Sequence, residues 1–241
     1  MSPPDSTGAQ ESGTPSSEQR VPLSRERVLA TAVAIADEHG IEAVSMRRLG
    51  HELGVEAMSL YNHVANKDAL LTGMVDVVVE EMPPPSEDPD WRVALRTTML
   101  EARAVLMRHQ WAPRVIGERS ELTHPIMLRF DAAVGTLLRA GFTADQTHHA
   151  LHVLGSRILG FTQELFNDSD AMSDDPDVVA LMIKEMSAAY PSIGAMIHAA
   201  QHDGASILGD GCDDQYEFEL ALDLILNGLE RLRRGELHVP H

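Results

Sequence analysis

The sequence contains little cysteine, few aromatic residues and no long apolar run. Cys212 is the single cysteine, so the chain cannot form an internal disulfide, and a lone thiol fits a reducing compartment. Aromatic residues make up only 4% of the chain, and because sheets favour aromatic and β-branched residues, this composition favours helices packed on helices. No apolar run approaches the roughly 18–20 residues that a membrane-spanning helix needs, and no secretory leader opens the chain. We therefore expect a cytoplasmic protein with no membrane partner.

The chain is also short of positive charge, with 19 Lys and Arg residues against 37 Asp and Glu residues. This balance argues against a protein that coats nucleic acid without sequence preference, because neutralisation of phosphates supplies much of the affinity of such proteins. Residues 83–241 carry 13 basic and 24 acidic residues, and residues 21–82 carry 5 basic and 10 acidic residues. A DNA-binding role for the N-terminal region therefore requires its basic side chains to cluster on one face.

Local composition divides the chain into three parts. Residues 1–22 are rich in Ser, Pro, Gly and Gln, which predicts a disordered arm. Residues 23–82 show helical periodicity, and the predicted N-caps of their helices are Ser24, Ser45 and Asn66. Three prolines at 83–85 predict a stiff spacer. Residues 83–241 then show the apolar periodicity of about six further helices, which predicts a larger helical bundle.

Residues 45–64 predict a helix-turn-helix, in which a tight turn joins two short helices that cross steeply. Gly54 supplies a residue that takes the left-handed conformation of the turn without strain. Gly50 leaves room where the second helix crosses the first. The buried seam is predicted to consist of Leu49, Leu53, Val55, Leu60 and Val64.

The predicted outward face of this motif carries small, polar and aromatic side chains, which suit base edges, methyl groups and phosphates. These residues are Ala57, Met58, Ser59, Tyr61, Asn62 and His63. With Arg47, Arg48 and Lys67, residues 45–67 hold three basic residues against two acidic ones, which is a weak local positive face. The alternative is a solvated helix-turn-helix inside a plain helical bundle, because the motif is short and degenerate.

Longer runs of sequence resemble one family. Residues 23–72 resemble the DNA-binding domain of the tetracycline-repressor (TetR) family, and the runs that carry the resemblance are 44–49, 53–55 and 59–71. The C-terminal part is similar to the tetracycline-repressor subgroup itself, in His109 and in residues 141–143, 159–161, 218–223 and 227–229. The resemblance implies an all-α fold: an N-terminal three-helix helix-turn-helix domain, then a larger C-terminal helical bundle for ligand binding and dimerisation.

The resemblance also implies roles for single residues in binding double-stranded operator DNA. Arg47 is expected to reach bases, Met58 and Ser59 to start the recognition helix, and Lys67 to contact the DNA backbone. Tyr61 and His63 are expected to hold phosphates, with a structural role in the small domain as the alternative. Ala57 departs from the tetracycline repressor, where a glutamine reads a base, so we expect a different operator sequence.

The C-terminal bundle is expected to hold a cavity for an unknown small-molecule effector, because ligand pockets in bundles lie between helices and are mostly apolar. The candidate lining residues are Met99, Arg103, His109, Trp111, Met127, Phe130, Phe161 and Glu164. For each Met or Phe, the alternative interpretation is that the side chain simply packs in the apolar core. We expect an effector wedged against Arg103, His109 and Trp111 to tilt the fourth helix as a lever.

The resemblance assigns His109 to the histidine that binds drug-associated magnesium in the tetracycline repressor. It assigns Glu164 to the acidic region that completes that site from the other subunit. Whether these two residues hold a metal ion stays open at this point. The residues at 111–113 depart from the drug-binding pattern, so we expect an effector other than tetracycline.

Three histidines, His148, His149 and His152, invite a metal interpretation. His148 and His152 lie one helical turn apart and could share a zinc ion, but the sequence nominates no third ligand. A polar interface or a solvated face is therefore the favoured explanation, and we expect neither a metal nor a cofactor. A homodimer is predicted through the helices at 143–166 and 213–234, where small and apolar residues form stripes. The predicted contacts are Ala150, Leu154, Gly155, Ile158, Leu159, Leu220, Leu224, Ile225 and Gly228.

Three functions fit a helical bundle, and the first 70 residues discriminate between them. A sequence-specific DNA-binding regulator, released from its operator by a small molecule, accounts for the helix-turn-helix. A metal-dependent enzyme that uses the histidines and acids of residues 101–170 does not account for it, and no nucleophile elbow, phosphate loop or zinc-protease motif is present. An adaptor that binds proteins through its acidic surface would need no DNA-binding motif.

Overall fold

The computed structural model describes residues 22–118, 122–160, 175–200 and 214–237. Over these ranges the chain forms eleven α-helices and no β-strand, which confirms the all-α prediction. The helices are α1 (Arg25–His39), α2 (Met46–Leu53), α3 (Ala57–Leu60), α4 (Lys67–Glu81), α5 (Trp91–Arg108), α6 (Ala112–Glu118), α7 (His124–Arg139), α8 (Ala144–Gly160), α9 (Pro176–Ala189), α10 (Pro191–Ala200) and α11 (Asp214–Arg233). None of the described helices is both long enough and apolar enough to cross a membrane.

Several helices begin where their local sequence predicts. The side chains of Ser24, Ser45 and Asn66 accept hydrogen bonds from backbone N–H groups three residues later, at 3.2, 3.2 and 2.8 Å. Thr143 and Gln146 form a reciprocal capping box, with side-chain to backbone distances of 3.0 and 3.1 Å. These caps satisfy backbone donors that have no partner inside a helix.

Two helix starts differ from what the local sequence predicts, which is a start at Asp88-Pro89 and the end of a helix near Pro191. The helix expected from Asp88 begins at Trp91, because Asp90 is the N-cap and Asp88 instead accepts a hydrogen bond from the backbone of Asp90. Pro191 does not simply end a helix but starts α10, so the described part of the bundle has seven helices. Proline suits the first turn of a helix because its missing N–H has no intrahelical partner there.

The N-terminal and C-terminal parts share one continuous apolar core. Buried residues of α1 and α4 belong to the same cluster as buried residues of α5, α6, α8 and α11. α4 packs on α1 on one side and on α5, α6 and α7 on the other. The connecting helix is therefore held directly by the bundle as well as through the prolines at 83–85.

α11 is fixed to the bundle by buried aromatic and polar contacts. Phe218 is almost fully buried and is covered by the guanidinium groups of Arg103 and Arg157, which lie 4.9 and 4.6 Å from the ring centroid. Arg96 of α5 forms ion pairs with Glu219 at 2.6 Å and with Asp223 at 2.9 Å. These contacts fix the inner face of α11 and leave its opposite face on the surface.

Candidate DNA-binding face and effector cavity

The turn between α2 and α3 has the geometry of a helix-turn-helix. Gly54 adopts a left-handed conformation, with φ 66° and ψ 35°, and its N–H bonds back to the end of α2. A Cβ at Gly50 would lie 2.9 Å from the carbonyl oxygen of Val55 and 3.2 Å from the amide nitrogen of Ala57. The two helices therefore approach at a distance that only glycine allows, as predicted for Gly50.

The predicted DNA-contacting residues divide by exposure. Leu60 and Val64 are buried, and this turns the other side of the recognition segment outward. Met58 is 76% exposed and Tyr61 is 45% exposed. The remaining exposed candidates are Arg47, Asn62 and Lys67, and the half-buried ones are Arg48, Ala57, Ser59 and His63. Their roles in DNA binding stay a prediction.

His109 lies at the junction between the small domain and the bundle, and its expected role in effector binding stays a prediction. The side chain is only 6% exposed. Its Nδ1 lies 2.8 Å from Oδ1 of Asp37 on α1, and its Nε2 lies 3.1 Å from Oε2 of Glu81 at the end of α4. Both ring nitrogens therefore face carboxylate oxygens in this structure.

Trp111 belongs to the same junction, and its expected role in effector binding stays a prediction. Its Nε1 donates a hydrogen bond of 2.7 Å to Oδ1 of Asp37, beside the bond from His109. Arg108 adds a bond of 2.8 Å from Nη2 to Oε2 of Glu81. These hydrogen bonds connect α1 and α4 to the segment that follows α5. The pair His109 and Asp37 is 72 residues apart in sequence.

Replacing Glu81 by glutamine should weaken the dependence of the thermal unfolding midpoint on pH between about pH 6 and pH 3. Burial opposes ionisation, but hydrogen bonds from Arg108 and His109 outweigh it and hold the pKa of Glu81 below its ordinary value of 4.5. Because the folded-state pKa is depressed, this contribution is fully present above pH 4.5 and is lost as the pH falls through the folded value. Thermal unfolding midpoints between about pH 6 and pH 3 measure it. Glu80→Gln, an exposed neighbour, should keep the wild-type slope, and equal slopes for both variants would contradict the assignment.

A separate apolar cavity of about 190 Å³ lies between α4, α5, α6, α7 and α8. Two of the predicted residues, Met99 and Phe130, line it. Val79 of α4 and Met82, which caps the C-terminal end of this helix, also line the cavity. A bound molecule would therefore contact α4 directly. Of the lining side chains only Thr98 and Arg129 are polar, and sequence patterns gave no indication of their place in the cavity.

The other predicted lining residues lie elsewhere. Arg103 is buried beside α11, where its Nη1 donates a hydrogen bond of 2.7 Å to Oε1 of Gln215. Met127 lies on α7 and is 47% exposed. Phe161 and Glu164 are outside the described residues, so the structure does not place them.

The histidines of α8 lie on its surface. His148 and His152 are exposed, and their ring centroids are 4.6 Å apart. Nε2 of His149 lies 3.7 Å from Oδ1 of Asp145. In the part of the chain that the structure describes, no group of three or more His, Cys, Asp or Glu side chains could hold a metal ion.

The outer face of α11 carries an apolar stripe that the described residues of the protomer leave exposed. Tyr216, Leu220 and Leu224 follow one another at intervals of four residues and are 60%, 42% and 64% exposed. The predicted stripe of α8 is different, because Ala150 and Leu154 are buried in the protomer. The other predicted stripe residues of α8 line the cavity, and they are Gly155, Ile158 and Leu159. Of the two predicted stripes, the one on α11 is therefore the more exposed in the described part of the protomer.

Known proteins share both halves of this arrangement. The family model for bacterial regulatory proteins of the tetR family matches residues 28–74, and the model for the tetracyclin repressor-like C-terminal domain matches residues 83–233. Tetracycline repressor protein class C of Escherichia coli is 29% identical over 216 residues, which cover 88% of this chain and 92% of that protein. The HTH-type transcriptional repressor DrrR1 of Streptomyces coeruleorubidus is 29% identical over 229 residues, which cover 92% and 84%.

A solved structure agrees with these relatives. The TetR family protein ActR of Streptomyces coelicolor, in complex with (S)-DNPA, matches with a TM-score of 0.66 at 25% identity. The match covers 87% of this chain and 98% of ActR. The C-terminal family model alone covers well over half of the chain, and the residues that it matches are those of the helical bundle described above. The chain belongs to the tetracycline-repressor (TetR) family of transcriptional regulators.

Proposed function

We propose that the protein is a dimeric, cytoplasmic repressor that binds double-stranded operator DNA and is released from it by a small organic effector. One observation carries this proposal: α4 begins at Lys67, directly after the helix-turn-helix, and its other end forms part of the wall of an apolar cavity. A ligand in that cavity contacts the helix that carries the DNA-binding face. ActR, whose solved structure holds (S)-DNPA, supports a ligand-responsive role for this fold.

The DNA-binding face has few positive charges, so specific contacts must supply much of its affinity. Arg47 and Lys67 are exposed at the two ends of the motif. The domain around them is acidic overall, which keeps non-specific attraction to phosphate low. We infer that Met58, Ser59 and Ala57 meet base edges, and that Tyr61 and His63 meet phosphates.

Release requires that the effector prefer a form of the dimer in which the two recognition segments no longer fit the DNA. In a symmetric dimer, recognition helices must enter successive major grooves about 34–36 Å apart. The cavity contacts α4 through Val79 and Met82, and the junction at His109 holds the same helix near its end. A tilt of α4 would therefore change the spacing of the DNA-binding faces.

Arg47→Ala and Lys67→Ala should weaken operator binding in different ways. Loss of a base contact by Arg47 should cost about 1–3 kcal/mol and relax specificity at one position of the operator. Loss of a phosphate contact by Lys67 should weaken binding to all sequences evenly and lower the salt slope by about one. Fluorescence anisotropy with a duplex selected by the protein, and with an unrelated duplex, measures both effects.

The same titrations test the proposed function itself. Wild-type protein should prefer the selected duplex over the unrelated one by about a thousandfold or more at physiological salt. Equal affinity for the two duplexes would contradict sequence-specific regulation. Equal losses on both duplexes for Arg47→Ala would remove Arg47 from base recognition and leave the regulator intact.

The alternative of a metal-dependent enzyme has no specific observation in its favour. His109 is engaged by two carboxylates, and the described histidines of α8 lie on the surface without a third ligand. An adaptor function would not explain the helix-turn-helix or the apolar cavity.

A further inference from the structure

The described lining of the effector cavity is almost entirely apolar. Fifteen of its seventeen lining residues are apolar, and the two polar ones are Thr98 of α5 and Arg129 of α7. The hydroxyl of Thr98 is engaged outside the cavity, because it accepts a hydrogen bond of 3.0 Å from the backbone N–H of Ser86. Among the described lining residues, Arg129 is therefore the only charged group that a bound molecule would meet.

Arg129 is a half-buried cation held by backbone carbonyl groups. Its Nη2 donates hydrogen bonds to the carbonyl oxygens of Met82, at 2.5 Å, and Pro83, at 2.8 Å. Within the described ranges, no carboxylate lies within ion-pair distance of this guanidinium, and neither Nη1 nor Nε makes a hydrogen bond. Desolvation lowers the pKa of Arg129, and the more distant charge of Glu101 offsets this only in part.

A desolvated cation beside an apolar space favours one class of ligand. Two carbonyl groups solvate the guanidinium but do not neutralise it, and a buried charge is costly until a counter-ion pairs with it. Guanidinium groups bind carboxylates through two parallel hydrogen bonds, which are among the stronger hydrogen bonds in proteins. The apolar side chains of the lining can bind an apolar body at the same time.

We propose that the effector is an organic anion, with an apolar body in the cavity and a carboxylate or similar acidic group paired with Arg129. This inference rests on the proposed function and adds the chemical class of the ligand. The anion competes with the carbonyl groups of Met82 and Pro83 for the same guanidinium. Binding therefore loosens the hold of α7 on the C-terminal end of α4, which is the end opposite the DNA-binding face.

Two probes of nearly equal size and shape test the charge requirement. 2-Naphthoate carries a carboxylate, and 2-naphthamide replaces it by a neutral amide. Isothermal titration calorimetry on the full chain should show naphthoate binding about tenfold or more tightly than naphthamide, because hydrogen bonds to charged groups contribute about 1.5–3 kcal/mol. In Arg129→Met this preference should disappear, through loss of naphthoate affinity, while naphthamide affinity stays within about threefold.

Gly155→Leu provides the control for location. Gly155 lines the cavity, and a Cβ at this position would meet no atom within 4 Å, so the leucine side chain can enter the space without a clash. Leucine also favours the helix over glycine, so this variant should fold. Both probes should bind it at least tenfold more weakly than they bind wild type.

The outcomes separate the inference from the proposed function. If both probes bind equally and Arg129→Met changes neither, the anionic class is wrong and the effector cavity stands. If neither probe binds, or if Gly155→Leu leaves both affinities unchanged, the cavity is not the effector site, and the inference fails together with that part of the proposed function.

Discussion

A Leu224→Glu variant should be a monomer at micromolar concentration and should bind operator DNA about a thousandfold more weakly than wild type. Leu224 is 64% exposed and is the last residue of the α11 stripe, one helical turn after Leu220. Burial of each large apolar side chain in an interface contributes about 1.5–3 kcal/mol. Two-fold symmetry would introduce the glutamate twice, and burying two unpaired carboxylates costs several kcal/mol more.

The loss of DNA affinity follows from the loss of the dimer. When two DNA-binding faces are linked, the second binds as an intramolecular event, and this raises affinity by about 10²–10⁴. Sedimentation velocity and fluorescence anisotropy measure the two effects separately. Leu128→Glu is the matched control: Leu128 is 56% exposed on α7, which packs on α4, α5 and α8. A Leu224→Glu variant that stays dimeric would place the dimer interface elsewhere.

Gly50→Ala should abolish operator binding while the C-terminal bundle stays folded. A Cβ at Gly50 would meet three backbone atoms, one of Val55 in the turn at 2.9 Å and two of Ala57 at the start of α3 at 3.2 and 3.3 Å. Backbone cannot move aside as the end of a flexible side chain can, so α3 must shift relative to α2. Overpacking of this kind costs about 1–3 kcal/mol, and a shift of α3 removes the alignment of the outward residues with the groove.

Gly117→Ala is the control for this substitution. Gly117 lies in α6, and a Cβ at this position would meet no atom within 4 Å, so alanine should raise stability by about 0.5–1 kcal/mol. Gly50→Ala should lose at least a hundredfold in operator affinity and keep both the dimer and the binding of 2-naphthoate. Wild-type affinity in Gly50→Ala would show that the close approach of α2 and α3 does not position the DNA-binding face.

The elements that the sequence predicted well depend on local interactions. Ser24, Ser45 and Asn66 each bond to a backbone group three residues away, so their effect can be inferred from neighbouring residues alone. Gly54 acts in the same way, because a tight turn needs a left-handed residue at one position. The helix-turn-helix follows from these local preferences together with the apolar spacing around them.

The contacts of the site residues that the sequence did not predict involve distant partners. His109 and Trp111 lie at the domain junction because Asp37, 72 and 74 residues earlier, holds both of them. Arg129 reaches carbonyl groups 46 and 47 residues away. No periodicity records such pairs, since helical spacing shows which face of a helix is apolar and not which helix will cover it.

The inner stripe of α8 illustrates the same limit. Ala150 and Leu154 have the spacing of an interface helix, and the protomer itself covers them. The uncovered stripe lies on α11, where the inner residues Phe218 and Leu222 alternate with the outer ones. Both helices are apolar on more than one side, so their orientation follows only from the packing of the whole bundle.

The symmetry of the DNA site tests the central claim most directly, namely that two copies of this chain present their helix-turn-helix motifs to one operator. The measurement is selection of bound duplexes from a random pool by the full chain, followed by the stoichiometry of the selected complex. We predict an inverted repeat whose half-site centres are about one helical turn, 34–36 Å, apart or a multiple of it, with at least one pair of chains on each duplex. A pool that shows no enrichment, or a single unrepeated half-site bound by one chain, would contradict the account.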